Sequence, residues 1–315
     1  MEKIFWHKKV LLTLILFVLF GCEQKTIAQN TQIKGSDKNY QETYIDLFDA
    51  EKYVETLAHL QLWENAEPDN PEMFIAYFNY YIARNRFSGI SIDREQKGSG
   101  PTMEITDPQT GEILGYLNDS VQYNTEDIFT AIEYLDRGLD MYPDRLDMHF
   151  GKIHILNETG YYKMAGGELF ATLEISKRVN NNWAWADNGK ITNGELFFVS
   201  SIQDYYRFWL NAETKEAYDQ IKLCTEKQIE LYPGNIYGYN YLAIYYLMNE
   251  QFQAGLEYLL QAEIIAPNDC IVLENIGRTY MNMNNNQKAE EYFRKILEVG
   301  NEQDKMYAQY YLDLL

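Results

Sequence analysis

His149 and His154 stand five residues apart and His59 is remote from both, so the three histidines beyond residue 21 share no helix face. No glutamate or cysteine completes a metal-ligand motif around them. No glycine-rich loop opens a helix, no Gly-x-Ser-x-Gly turn presents a serine, and no cysteine is paired with a candidate base. Carboxylates are plentiful, but on helix surfaces their first role is solvation. These residue types argue against an enzyme and imply no metal and no cofactor. Cys224 and Cys270 lie 46 residues apart, each within an apolar helical pattern. Buried free thiols are expected, although spacing alone leaves open whether the two pair. Cys22 differs, because it closes a run of apolar residues.

That run decides the compartment. Lys3, Lys8 and Lys9 make a basic start, and residues 10 to 20 are apolar except Thr13. Eleven residues of helix reach about 16 Å, against a hydrocarbon core of roughly 30 Å. The run is too short to span a bilayer and has the form of a secretory signal. Leu19-Phe20-Gly21-Cys22 resembles a bacterial lipobox, with Phe20 where the usual pattern has a small residue. The resemblance implies a diacylglycerol on the Cys22 sulfur, cleavage before it, and acylation of the new amino terminus. Residues 1–21 would be the signal and 22–38 a flexible tether. The expected place is the cell envelope, with the outer membrane favoured over the inner and the protein facing the periplasm or the cell surface. An ordinary cleaved signal or a retained anchor is the alternative.

The whole chain has 27 basic and 47 acidic residues, a net charge of −20. Removing residues 1–21 takes away three lysines and Glu2, leaving 24 against 46. Such a surface repels phosphate backbones, which excludes nucleic acid, and anionic head groups, so that lipid alone would hold it to a membrane.

Positioning is set by an internal repeat. Tyr239, Leu242, Ala243, Tyr246, Gly255, Leu259, Ala262 and Pro267 recur 34 residues on as Leu273, Ile276, Gly277, Tyr280, Ala289, Phe293, Ile296 and Asn301. Small residues stand where two helices must approach, and proline or asparagine follows the second helix. Each pair leaves an apolar face that only the next pair covers. The period and pattern resemble the tetratricopeptide repeat (TPR) family. Echoes of the second helix occur at Thr56/Leu60/Pro68, Ala131/Leu135/Pro143, Ala165/Leu169 and Ile221/Thr225/Pro233. The expected architecture over 39–315 is all-α, a TPR-like α-solenoid of about five helix pairs and a capping helix at 303–315, clearest over 236–315.

Two stretches break the pattern. Within 88–120, Met103 to Thr106 and Glu112 to Leu117 read as strands around the turn Asp107-Pro108-Gln109-Thr110-Gly111. Ser88 to Asp93 could add a third strand, with Gly98-Ser99-Gly100 as a flexible rim. This small β insertion is either a tolerated surface loop or a flap that touches a partner. In 180–195, Trp183 and Trp185 are expected to plug the solenoid. The tyrosine pairs 80/81, 161/162, 205/206 and 245/246 are expected mainly in packing, and a sugar-stacking role is the lesser reading.

The TPR resemblance implies a concave groove lined by first helices that binds a protein or peptide. Its places fall on Tyr237, Asn240, Ile244 and Met248, then Ile271, Glu274, Arg278 and Met281, with Asn79 in a similar role upstream. Asn240 and Glu274 stand where a clamp for a peptide carboxylate would need lysine, so that clamp is not expected. The expected function is a lipid-anchored protein-interaction scaffold. The alternatives are a glycan-capture lipoprotein resembling the SusD-like family and an adaptor resembling the TPR lipoproteins of outer-membrane assembly.

Overall fold

Asparagine heads helix after helix, its side chain accepting a backbone N–H of the first turn at Asn39, Asn70, Asn124, Asn235, Asn285 and Asn301. The turns inside the helix pairs share a device as well. One residue takes a left-handed conformation at Glu51 (φ 55°), Gly160 (78°), Glu250 (57°) and Asn284 (57°). The computed structural model describes residues 39–94 and 103–315. The signal, Cys22, the tether and the rim at Gly98-Ser99-Gly100 lie outside the described residues.

The helices pair in sequence: α1 (Tyr40–Asp49) with α2 (Tyr53–Ala66), α3 (Pro71–Arg84) with α4 (Thr125–Met141), and α5 (Leu146–Glu158) with α6 (Tyr162–Arg178). Then α7 (Gly194–Ser201) and α8 (Gln203–Asn211) precede α9 (Lys215–Leu231). The series ends with α10 (Ile236–Met248) and α11 (Phe252–Ile265), α12 (Cys270–Asn282) and α13 (Asn286–Val299), and the cap α14 (Glu302–Leu314). This is a TPR-like α-solenoid with six second helices, each carrying one of the sequence echoes. The sequence expectation of about five pairs blurs at the fourth, whose first helix is broken at the buried Ile202. There α9 packs directly on α6, so closely that a Cβ on Gly166 would lie 2.2 Å from Gln220 Oε1.

Close approach explains the small residues of the repeat. A Cβ on Gly277 would meet the Phe293 ring at 2.8 Å, and one on Gly255 would meet Leu247 at 2.7 Å. The tyrosine pairs are largely interior, with Tyr80 and Tyr206 buried and Tyr77 stacked on Tyr134 at 4.0 Å. Cys224 is buried and free, whereas Cys270 is free but half-buried, because it opens α12 at the edge of the stack.

The insertion forms a three-stranded antiparallel sheet, β1 (Phe87–Asp93), β2 (Met103–Thr106) and β3 (Ile113–Gln122), in the order β1-β3-β2. Its turn closes as expected. Asp107 Oδ1 accepts the Gln109 and Thr110 N–H groups, and Gly111 adopts φ 71°. Beyond α6, β4 (Ala184–Trp185) and β5 (Gly189–Lys190) form a small hairpin that straps across the stack. Trp183 is fully buried and Trp185 half-buried, so the expected plug is present. The hairpin tip reaches far back in sequence: Asp187 N–H donates to Glu72 Oε1 (2.9 Å) and Gln41 Nε2 to Asp187 Oδ1 (3.0 Å). Beneath it lies Arg145, fully buried and bonded to Glu72 (2.7 Å) and twice to Asp147 (2.9 and 2.8 Å). A buried guanidinium is tolerable only with such partners.

Candidate functional site

Three first-position helices run side by side at the C-terminal end of the stack: α10, α12 and α14. Counting from their caps (Asn235, Asp269 and Asn301), equivalent offsets give Asn240, Glu274 and Met306, then Ile244, Arg278 and Tyr310. The cap-to-cap spacing is 34 residues and then 32, so a strict 34-residue count misses Met306. Counting from capping residues would have found it. Exposure follows the face: Ile271 (64 %), Met306 (61 %), Tyr310 (55 %) and Met248 (46 %) are open, while Ala308 and Ile276 on the opposite side are buried.

The remaining expected residues are half-buried. Tyr237 stands in the first turn of α10, where Asn235 caps its N–H. Asn240 is tied across to α12, since Asn275 Nδ2 donates to Asn240 Oδ1 at 2.8 Å. Ile244 packs against the central core cluster and Met281 against the C-terminal one. Arg278 Nη1 donates to Glu274 Oε1 at 3.2 Å, and its guanidinium lies 5.5 Å from the Tyr311 ring. Burial, countered by Arg278 and reinforced by Glu274, pushes the Tyr311 phenol above its ordinary value. The face thus offers flexible apolar side chains around one internally neutralised ion pair. Arg278 is committed to Glu274, which leaves it poorly placed to hold a free carboxylate. Asn79 does not join this group: it is exposed on α3, within the N-terminal cluster.

The histidines do not converge. His59 Nε2 faces the Tyr40 carbonyl at 2.8 Å, His154 is exposed, and His149 is buried. Both ring nitrogens of His149 are engaged, Nδ1 with Glu168 (2.7 Å) and Nε2 with the Pro143 carbonyl (3.2 Å). Lys152 completes the cluster at 2.8 Å from Glu168. Burial pushes the Glu168 carboxyl up, but the His149 hydrogen bond and the Lys152 charge outweigh it and hold the group below its ordinary range. Among the described residues no group of His, Cys, Asp and Glu is placed to hold a metal ion, and no helix is long and apolar enough to cross a membrane.

No family model matches the chain, and no curated protein matches it. Among solved structures it is similar to MamA (residues 41 to the end) from Desulfovibrio magneticus RS-1, at 17 % identity and TM-score 0.33, covering 56 % of this chain and 87 % of that one. It is also similar to YrrB, a TPR protein with an unusual peptide-binding site, at 16 % identity and TM-score 0.35, covering 59 % and 84 %. A third is TTC0263, a thermophilic TPR protein of Thermus thermophilus, at 15 % identity and TM-score 0.37, covering 59 % and 91 %. The chain's own helix pairs and their 34-residue period define it as a TPR-like α-solenoid.

Proposed function

We propose that this chain is a protein-interaction scaffold that takes a partner segment on the concave face of α10, α12 and α14, held at a bacterial envelope membrane by lipid on Cys22. The observation that carries the binding reading is the file of Met248, Ile271, Met306 and Tyr310. They are open to solvent on a backbone whose other faces are packed. Methionine suits such a surface because its unbranched thioether adapts to different apolar shapes. The anchor reading is carried by the sequence around Cys22, and the outer membrane is the favoured site.

A glycan-capture role would call for adjacent aromatic faces open on the groove. Of the groove residues named above, Tyr310 is the open aromatic, and most of the tyrosine pairs pack between helices, which favours a protein ligand. An assembly adaptor differs from a general scaffold in its partner.

The test places a photo-crosslinking residue at Ile271 or Met306, and as control at Val54 or Leu62, which are exposed on α2. A discrete adduct in native membranes from the groove positions alone supports the site; equal adducts from the α2 positions refute it. Cys22→Ser tests the anchor separately. The variant should leave the membrane fraction, and its retention through a high-salt wash would overturn the lipid reading.

A further inference from the structure

The β insertion carries a second recognition surface. Strand register places Ile90 and Ile92 of β1, Leu117 and Val121 of β3, and Met103 and Ile105 of β2 on one face. Ile92 is 72 % exposed, Ile90 69 % and Met103 67 %, and no described helix is layered on the sheet. A three-stranded sheet with an uncovered apolar face is incomplete as a structural element.

The two edges differ. β2 is short, and its register shifts between Ile105 and Thr106, which blunts it. β1 is longer and regular, and residues 87–92 contain no charge and no proline. Its outer backbone groups face no other described strand. Arg86 and Arg94 bracket the strand, and neither forms an ion pair with a described residue. In a chain of net charge −20, two such arginines flanking an open, uncharged edge select for acidic ends on the incoming strand.

We infer that β1 is a strand-addition site for an extended, apolar segment of a partner protein that carries a carboxylate at each end. The segment adds as a fourth strand through backbone hydrogen bonds, sets alternate side chains on Ile90 and Ile92, and places its end carboxylates near Arg86 and Arg94. Eight residues of strand span about 26 Å, so the matching segment is about nine residues long.

The probe is a labelled peptide of alternating valine and threonine with aspartate at both ends, compared with the same peptide ending in lysine. Binding to the full chain is read by fluorescence anisotropy. The aspartate form should bind about threefold to tenfold tighter. The double variant Arg86→Glu/Arg94→Glu should reverse that order, and Ile92→Asp should weaken both peptides while helical circular dichroism stays unchanged. Ile271→Glu in the groove should change neither, which separates this site from the concave face. Equal binding of the two peptides, or no saturable binding below about 1 mM, overturns the proposal. It is also overturned if Ile92→Asp abolishes a concentration-dependent dimer in sedimentation, or adsorption to phosphatidylcholine vesicles. Those results would assign the face to a second copy or to lipid.

Discussion

Replacing Arg145 with methionine removes the one cation beneath the strap and leaves Glu72 and Asp147 facing each other, with side chains only 13 % and 11 % exposed. Breaking a buried ion pair by losing one partner costs about 3–5 kcal/mol, because the surviving charge is stranded. The two carboxylates retain a little access to water, so the lower end, about 3 kcal/mol, is expected. The loss should be local, since a solenoid's stability is a sum over units and their neighbours. Amides of α5 and of the strap around Trp183 should exchange faster, and tryptophan fluorescence should report an earlier urea transition. Methionine fills much of the arginine volume, so cavity formation is a minor contribution. The triple variant Arg145→Met/Glu72→Gln/Asp147→Asn separates charge from shape. Glutamine at 72 can still accept the Asp187 N–H, and stability should return to within about 1–2 kcal/mol of the original. A loss below about 1 kcal/mol in the single variant, or no recovery in the triple, would refute the reasoning.

Three further outcomes follow from the same geometry. The folded Glu168 carboxyl is a stronger acid than its ordinary value of 4.5, so its ionised form stabilises the fold above that pH and the benefit fades as pH falls through the folded value. Glu168→Gln should therefore flatten the acid limb of a stability-versus-pH curve, and an unchanged limb would count against the His149–Glu168–Lys152 cluster as a source of stability. Gly277→Ala should destabilise, since overpacking at about 1–3 kcal/mol exceeds the helix-propensity gain of about 1, whereas Gly167→Ala meets nothing within 4 Å and should stabilise by about 0.5–1 in urea unfolding. Deleting residues 88–120 should leave helical circular dichroism and the melting temperature nearly intact, because no described helix packs broadly on the sheet; a collapse of the helical signal would make the sheet part of the core.

Much of the fold was legible because its causes are local. Helix pairs repeat every 34 residues, so Gly255, Ala289 and Pro267 mark the second helices within one short window. Asp107 to Gly111 carries its own turn chemistry, and the strand over Met103–Thr106 follows from it. The fourth unit was harder to read because the break at Ile202 divides its first helix, and no sequence period survives that break. At the groove, the repeat count reached residues from Tyr237 to Met281 but passed over Met306, since the last spacing is two residues shorter.

By itself the sequence determined an acidic chain, a short apolar run ending at Cys22, and a stack of helix pairs with one β insertion. Only the tertiary structure decided which charges are spent on each other. Glu274 neutralises Arg278 within one helix, but Arg145 meets Glu72 across 73 residues and Asp187 meets Glu72 across 115. It also decided that Asn79 stands apart from the groove and that Ile90 and Ile92 remain uncovered. The physical reason is one of range. Caps, turns and helix-pair packing are fixed by neighbours a few residues to one repeat away, whereas strap contacts and uncovered faces depend on how all the units stack.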